Sequence, residues 1–321
     1  MSSSGTPLRL GTRASPLARW QAGWVADQLA ARGVAVELVP ITTQGDVHSA
    51  PLGQIGGQGL FTKELQRALV AREIDLAVHS LKDLPTAAVP GLVLAAVPPR
   101  ESTADCLICR QAESFDALPR GARVGTGSLR RKAQLLHHRP DLVIEEIRGN
   151  VDTRLRKLEQ GQYDAIVLAE AGLRRLGMAE RITQVLPRGI MLPAVGQGAL
   201  GLETREDDPA TQGAVRPLED RAARAAVLAE RALLAALRAG CLAPVAALGT
   251  LQQGQLTLTA AVLSPDGRRK LTAEAQAAVA ESLSQAALDQ LACGLGEEVA
   301  QRLLSQGARS LIEAAHSPPA R

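Results

Sequence analysis

In the first half of the chain, short apolar runs alternate with segments whose apolar positions recur every three or four residues. This alternation predicts strands and helices in turn, as in a parallel α/β sheet. Leu8–Thr12 reads as a strand. Ser15-Pro16 then supplies an N-cap and a first helical residue, with Leu17, Trp20, Trp24 and Val25 on the apolar side of the helix. Val36–Ile41, Asp75–His79 and Val93–Val97 are further strands, the second of them preceded by a helix over Lys63–Arg72. Pro98-Pro99 ends this set. A second set follows with strands at Asp105–Cys109, Arg123–Thr126, Leu142–Ile147 and Ala165–Ala169, and with helices at Leu129–His138 and Val151–Gln160.

Beyond Leu192-Pro193 the segment Gly196–Leu202 is placed to return the chain to the first set. An Ala-rich, Pro-free helical stretch runs from Glu219 to Arg238. The pattern then changes to antiparallel strands at Val245–Thr250, Leu256–Leu263 and Lys270–Ala275. Gln253-Gly254 and Pro265-Asp266-Gly267 form the turns, and a helix over about residues 281–305 follows. The periodicity thus predicts two α/β lobes and a small C-terminal α+β domain.

Composition narrows the function. The 321 residues include 2 Phe, 2 Trp and 1 Tyr, so base stacking on aromatic platforms is poorly supplied. A net charge of +3 is mild for a duplex binder. No apolar run approaches the ~20 residues of a membrane span, and MSSSGTPLRL lacks the pattern of a signal peptide, which points to the cytoplasm. The four cysteines, at 106, 109, 241 and 293, are too few for a disulfide scaffold. Cys106 and Cys109 form a lone CxxC on a strand, where the two thiols would face opposite sides, and no metal is expected. Only 5 of the 36 Lys-plus-Arg residues are lysine; codon bias explains most of that excess of arginine.

Some arginines nevertheless stand where an anion would sit. Gly125-Thr126-Gly127-Ser128-Leu129-Arg130-Arg131 passes from a strand into a helix capped by Ser128, and puts two cations in a first turn whose dipole disfavours them. Leu129, Ala133 and Leu136 form the expected buried stripe, which leaves Arg130 and Arg131 off it. They are either a solvated pair or one half of an anion site fed by the helix N–H groups. Arg148-Gly149-Asn150, with Arg154 in the next helix, and Thr12-Arg13-Ala14-Ser15 repeat the arrangement. Such corners gather at the carboxyl ends of strands, so the arginines at them would define a cationic cleft for a polyanion. His79-Ser80-Leu81-Lys82-Asp83 follows the third strand and offers an acid and a base side by side, or simply a turn salt bridge. Gly53, Gly56, Gly57 and Gly59 precede Phe61 without the Lys-Ser/Thr ending of a phosphate loop, which suggests a lid. Cys241 follows a helix C-terminus that does not activate a thiol; on physical grounds alone it reads equally well as a buried structural residue.

Together these segments resemble the porphobilinogen deaminase (hydroxymethylbilane synthase) family. The resemblance rests on Leu8–Ala18, Gly59–Leu65, Ala77–Asp83, Ser128–Arg131, Arg148–Val151 with Thr153–Leu155, Leu192–Gly198, and Gly240-Cys241 with Pro244. It implies a transferase of tetrapyrrole biosynthesis that joins four porphobilinogens with loss of ammonia. The units are added to a dipyrromethane cofactor held by a thioether to Cys241. It further implies that Lys82, Asp83, Thr126, Ser128, Arg130, Arg131 and Arg148 contact the cofactor. Arg13, Ser15, Arg148, Arg154 and Arg175 would bind substrate, Asp83 would serve in catalysis at the pyrrole nitrogens and the azafulvene-like cations, and Phe61 would close the site. Gln58, Gly127 and Arg238-Ala239 depart from the family's usual Lys, Ser and Glu-Gly.

The expected architecture is two periplasmic-binding-protein-like lobes around a cleft, residues 1–99 with 198–218 and residues 104–192, plus a C-terminal domain over 219–321. The chain is expected to be a monomer with a small-molecule substrate and no nucleic-acid or membrane partner. A non-catalytic anion-binding protein is the rival reading, and would carry no covalent group. A weak nucleic-acid binder is another, and would show steeply salt-dependent duplex binding.

Overall fold

The computed structural model describes residues 6–41, 62–239 and 243–316. The chain divides into two compact units, residues 1–100 with 199–224 and residues 101–198 with 225–321. The first unit contains β1 (Leu8–Thr12), α1 (Pro16–Ala30), β2 (Val36–Pro40), α2 (Lys63–Val70), β3 (Leu76–Ser80) and β4 (Leu92–Ala96). The second takes β5 (Asp105–Cys109), β6 (Arg123–Gly125), α3 (Leu129–His138), β7 (Val143–Glu145), α4 (Val151–Glu159), β8 (Ala165–Ala169), α5 (Glu170–Arg175) and β9 (Gln184–Val185). The first unit regains β10 (Leu200–Arg205) and α6 (Pro209–Val215). The second is completed by α7 (Arg221–Leu237) beyond its first turn, β11 (Val245–Gln252), β12 (Gln255–Leu263), β13 (Lys270–Ala278), α8 (Gln285–Ser305) and α9 (Ala308–His316).

The expected α/β class, with two similar lobes and a C-terminal sheet-and-helix region, is what the structure has. The two five-stranded sheets share one plan, β2-β1-β3-β10-β4 and β7-β6-β8-β5-β9. In each, three strands are parallel neighbours, and the fourth joins them antiparallel. The expectation of a parallel sheet is therefore corrected to a mixed one. Parallel neighbours are joined by a strand–helix–strand crossover; β10 enters its sheet only after the chain returns from the second unit, and β5 is separated from β8 by β6 and β7, so neither is joined to its neighbours in that way. Asp105 pairs with Ala169 at the start of β5, and Glu203 of β10 pairs with Ala77 of β3.

Local chemistry explains the helix starts. Ser15, Ser128 and Asn150 accept the N–H groups of Ala18, Arg131 and Thr153, at 3.3, 3.4 and 2.9 Å. The inward face of α1 is Gln21, Ala22, Val25 and Leu29. Trp20, expected on the apolar side, is 40% exposed, because it lies off the face formed by Ala22, Val25 and Leu29. The helix expected from about residue 281 starts at Gln285, where Ser284 caps it, and α9 adds a segment that periodicity did not suggest.

The core is aliphatic, as the composition requires. In the C-terminal region Ala225, Ala229, Leu233 and Leu237 of α7 pack with β11, β12 and α8. Ala133 and Leu192 pack with Ala246, Leu248, Ala261 and Leu263, so the three-stranded sheet shares a core with α3. Approach here is close: a Cβ on Gly249 of β11 would stand 2.6 Å from the Ala226 carbonyl oxygen of α7. Gly249→Ala is therefore expected to cost about 1–3 kcal/mol by overpacking against helix backbone, read from urea unfolding. A variant as stable as its parent would show that this backbone gives way freely.

Candidate functional site

In the first unit β3 is buried through His79 and then breaks into a single helical turn, Leu81–Asp83. Leu81 is the reason. Its side chain is buried, and its N–H donates to the Ala199 carbonyl at 3.0 Å. Lys82 and Asp83 are left half-exposed at the end of the strand. Among the described residues, no hydrogen bond or ion pair reaches the Asp83 carboxylate. His79 does not join them. It is 3% exposed, and its Nε2 lies 2.9 Å from Glu203 Oε2 on β10. Gln66 Nε2 of α2 donates to the other Glu203 oxygen at 2.9 Å. The expected acid–base neighbours therefore resolve into a half-exposed Lys82–Asp83 turn and a buried His79–Glu203–Gln66 brace. Arg13 and Ser15 stand half-buried at the β1–α1 corner, with Ser15 as the cap.

In the second unit the expectation for Arg130 and Arg131 needs correction. Both lie among the buried residues of α3 instead of off its buried stripe, at 4% and 7% exposure, while Leu129 and Leu136 are only half-buried. The reason is Asp105, the fully buried first residue of β5. Its Oδ1 accepts from Arg131 Nε at 3.0 Å and Nη2 at 2.7 Å, and from Gln197 Nε2 at 3.1 Å. Arg130 Nη1 forms an ion pair with Oδ2 at 2.7 Å. Arg131 also donates to the Val167 carbonyl, and Arg130 to that of Leu192. Burial pushes the Asp105 carboxyl up, but the two guanidinium charges outweigh it and hold the group down at about 2. Burial lowers Arg130 in turn.

The other candidates surround this cluster in sequence and are engaged locally. Thr126 is buried, and its hydroxyl accepts from the Ser128 N–H at 3.2 Å. Arg148 donates to Glu146 Oε1 through Nε at 2.9 Å. Arg154 Nε donates to the Gly149 carbonyl at 2.8 Å, where Gly149 holds φ +110°. Arg175 is buried, and donates to the Gly198 carbonyl at 2.7 Å. Asp105 and Arg175 are thus linked through adjacent residues, Gln197 and Gly198. Cys106 and Cys109 pack into different cores on β5, and burial pushes their thiols up to about 12 and about 11. Phe61, its glycine-rich segment and Cys241 lie outside the described residues.

Sequence reasoning missed the carboxylates. Asp105, Glu203 and Glu230 are each buried. Glu230 of α7 accepts the N–H groups of Gly196 at 2.7 Å and Gly249 at 2.8 Å. Its position was a usable signal: Ala226, Glu230, Leu233 and Leu237 fall on one helical stripe, and three of the four are apolar. Among the described residues no helix is long and apolar enough to cross a membrane.

Comparison with known proteins adds the following. Residues 8–213 match the family described as porphobilinogen deaminase, dipyromethane cofactor binding domain, and residues 224–304 match porphobilinogen deaminase, C-terminal domain. A porphobilinogen deaminase of Syntrophotalea carbinolica is 49% identical over 98% of each chain. One of Acidithiobacillus ferrooxidans is 48% identical over 95% of this chain and 97% of its own. Among solved structures, a nutrient binding protein from Burkholderia cenocepacia bound to methionine aligns at 13% identity with a TM-score of 0.41, over 65% of this chain and 89% of that one.

The Asp105 cluster carries a pH dependence. Its folded carboxyl titrates at about 2 against an ordinary 3.8, so its stabilisation is complete above pH 4 and is lost as the pH falls through 2. Asp75 is also held at about 2, where hydrogen bonds from Arg9 and Arg205 outweigh burial, and titrates in the same window. Asp105→Asn should remove about 2 kcal/mol of the fall in unfolding free energy between pH 4 and pH 2, measured by urea titration at each pH. An unchanged fall would mean that the arginines do not depress this carboxyl.

Proposed function

Because the chain belongs to the porphobilinogen deaminase family, we propose that the Lys82–Asp83 turn and the buried arginine pair are its working parts. The protein is a transferase, hydroxymethylbilane synthase, that condenses porphobilinogen head to tail with loss of ammonia and releases hydroxymethylbilane. Its cofactor is a dipyrromethane. Bound, that group supplies a primer of two linked pyrroles whose acetate and propionate arms are carboxylates.

The second unit fits such a group on one observation above all. Its buried cluster holds two guanidinium groups against one carboxylate, and the buried Arg130 Nε has no hydrogen-bond partner among the described residues. A buried cation surplus is costly unless an anion meets it, and a carboxylate matches the guanidinium fork. Arg130 and Arg131, helped by Thr126, Ser128, Arg148 and Lys82, would hold the cofactor's arms. Cys241 would hold it covalently, a bond made once, so its thiol needs no lowered pKa. Arg13, Ser15, Arg148, Arg154 and Arg175 would take the carboxylates of incoming porphobilinogen.

Asp83 is the catalytic residue in this reading. Loss of ammonia leaves positive charge spread over a pyrrole, and a fixed carboxylate lowers that charge's energy. The Asp83 side chain, facing the pyrrole N–H, would accept its hydrogen bond and would take up and return the proton that each condensation releases. The backbone turn pinned by Leu81 gives the carboxylate a fixed site. Phe61 would cover the bound substrate. The three-domain organisation, a monomeric state in the cytoplasm, and independence from nucleic acid and membrane complete the proposal.

Intact mass tests it. Purified protein should carry one dipyrromethane, Cys241→Ala none, and Cys293→Ala one; a bare wild-type mass in active protein would sink the assignment. Asp83→Asn should keep the added mass yet lose about 10²–10⁴-fold in turnover, followed by hydroxymethylbilane formation. Near-normal turnover would remove Asp83 from the chemistry.

A further inference from the structure

A single buried carboxylate serves two buried arginines, and it does so from a different element. Asp105 opens β5, while Arg130 and Arg131 lie in the first turn of α3. Without Asp105 the cluster would bury two positive charges at a helix N-terminus, where backbone N–H groups add more positive potential. With it, one charge is cancelled and one is left. Geometry is fixed as well. Arg131 is tied down at Nε, Nη1 and Nη2, by Asp105, Val167 and Asp105 respectively. Arg130 is tied at Nη1 by Asp105 and by the Leu192 carbonyl, while its Nε stays unpartnered. Asp105 is itself braced by Gln197, whose amide also donates to the Thr103 carbonyl at 2.7 Å. Arg130 is thus held at Nη1, with a buried Nε whose hydrogen-bonding capacity nothing among the described residues meets.

We propose that Asp105 is a positioning residue for cofactor loading. In the unloaded chain it sets the planes of Arg130 and Arg131 and cancels one of their two charges, so that the pair is already built when the cofactor's carboxylate arrives. The proposal rests on the reading of Arg130 and Arg131 as cofactor-binding residues, and adds a residue that would never touch the cofactor.

Chemical rescue separates this role from a merely structural one. Asp105→Ala removes the carboxylate and opens its volume. In a Cys241→Ala background, which excludes covalent loading, Asp105→Ala should lower the melting temperature by about 5–10 °C, the size expected for a buried pair that loses one partner. Formate at tens of millimolar should recover at least half of that drop, while formamide and chloride at matched concentration should not. A cavity that only needs filling would respond to formamide as well, and that result, or no drop at all, overturns the proposal.

With Cys241 intact, Asp105→Ala should show less than a tenth of the wild-type dipyrromethane mass after incubation with porphobilinogen. Formate should restore it, and Asp105→Glu should load in part. Full loading without formate overturns the proposal. Should the single variant prove insoluble, Asp105→Ala with Arg131→Gln restores the charge balance: a soluble double variant supports the proposal and an insoluble one overturns it. If wild type itself carries no added mass, the cofactor reading fails, while the formate arm in the Cys241→Ala background still judges Asp105 separately.

Discussion

Two guanidinium groups and one carboxylate, all withdrawn from water, set the terms for the second unit. Taking any of these charges out of solvent costs several kcal/mol, and removing one partner leaves that cost uncompensated. The cluster therefore constrains every element that touches it. Strand β5 must begin at Asp105, α3 must begin where its first turn brings Arg130 and Arg131 to that residue, and the loop through Leu192 and Gln197 must close over both. Packing already opposes a one-residue slip of β5, which would turn its side chains to the other face. The buried ion cluster adds the cost of an unpaired charge to any such shift.

Two other buried carboxylates work in the same manner. Glu203 receives His79 from β3 and Gln66 from α2, and so ties both to β10. Glu230 receives backbone N–H groups from Gly196 and Gly249, and joins α7 to the loop ending at Gly198 and to β11. Each carboxylate joins segments far apart in sequence. The Leu192–Gly198 segment shows the consequence. Its backbone and its one amide side chain meet Arg130, Glu230, Asp105 and Arg175 in turn, so a loop without a charged residue organises four charged ones.

Much of the fold was legible because its elements have sharp local signals. Ser15-Pro16, Ser128 and Asn150 mark helix starts that the structure reproduces, and β1, β5, β8 and α3 have the expected limits. Strand direction was not legible, since β5 and β10 read like any other apolar run and only their connections decide how they pair. The corners bearing Arg130, Arg148 and Arg13 could be found from residue type and position alone. The burial of Arg130 and Arg131 could not, because it depends on Asp105, more than twenty residues earlier and on another element. A local pattern can locate a cation, but the partner that decides whether it is solvated is a tertiary fact.

The scarcity of aromatics ties this architecture to its chemistry. A core of Ala, Leu and Val lets backbones approach closely, as Gly249 of β11 does against Ala226 of α7 and Gly296 of α8 against Ala229. At such short range one glutamate on α7 can reach two backbone N–H groups on different segments, which a bulkier core would hold out of reach. Helix α7 ends at Leu237, a few residues before Cys241. If Cys241 holds the primer as proposed, rigid attachment would serve it, because every degree of freedom left in its base must be frozen again at each condensation. Small residues and a buried carboxylate hold α7 closely against β11 and α8, and so fix the helix that leads to the proposed attachment residue.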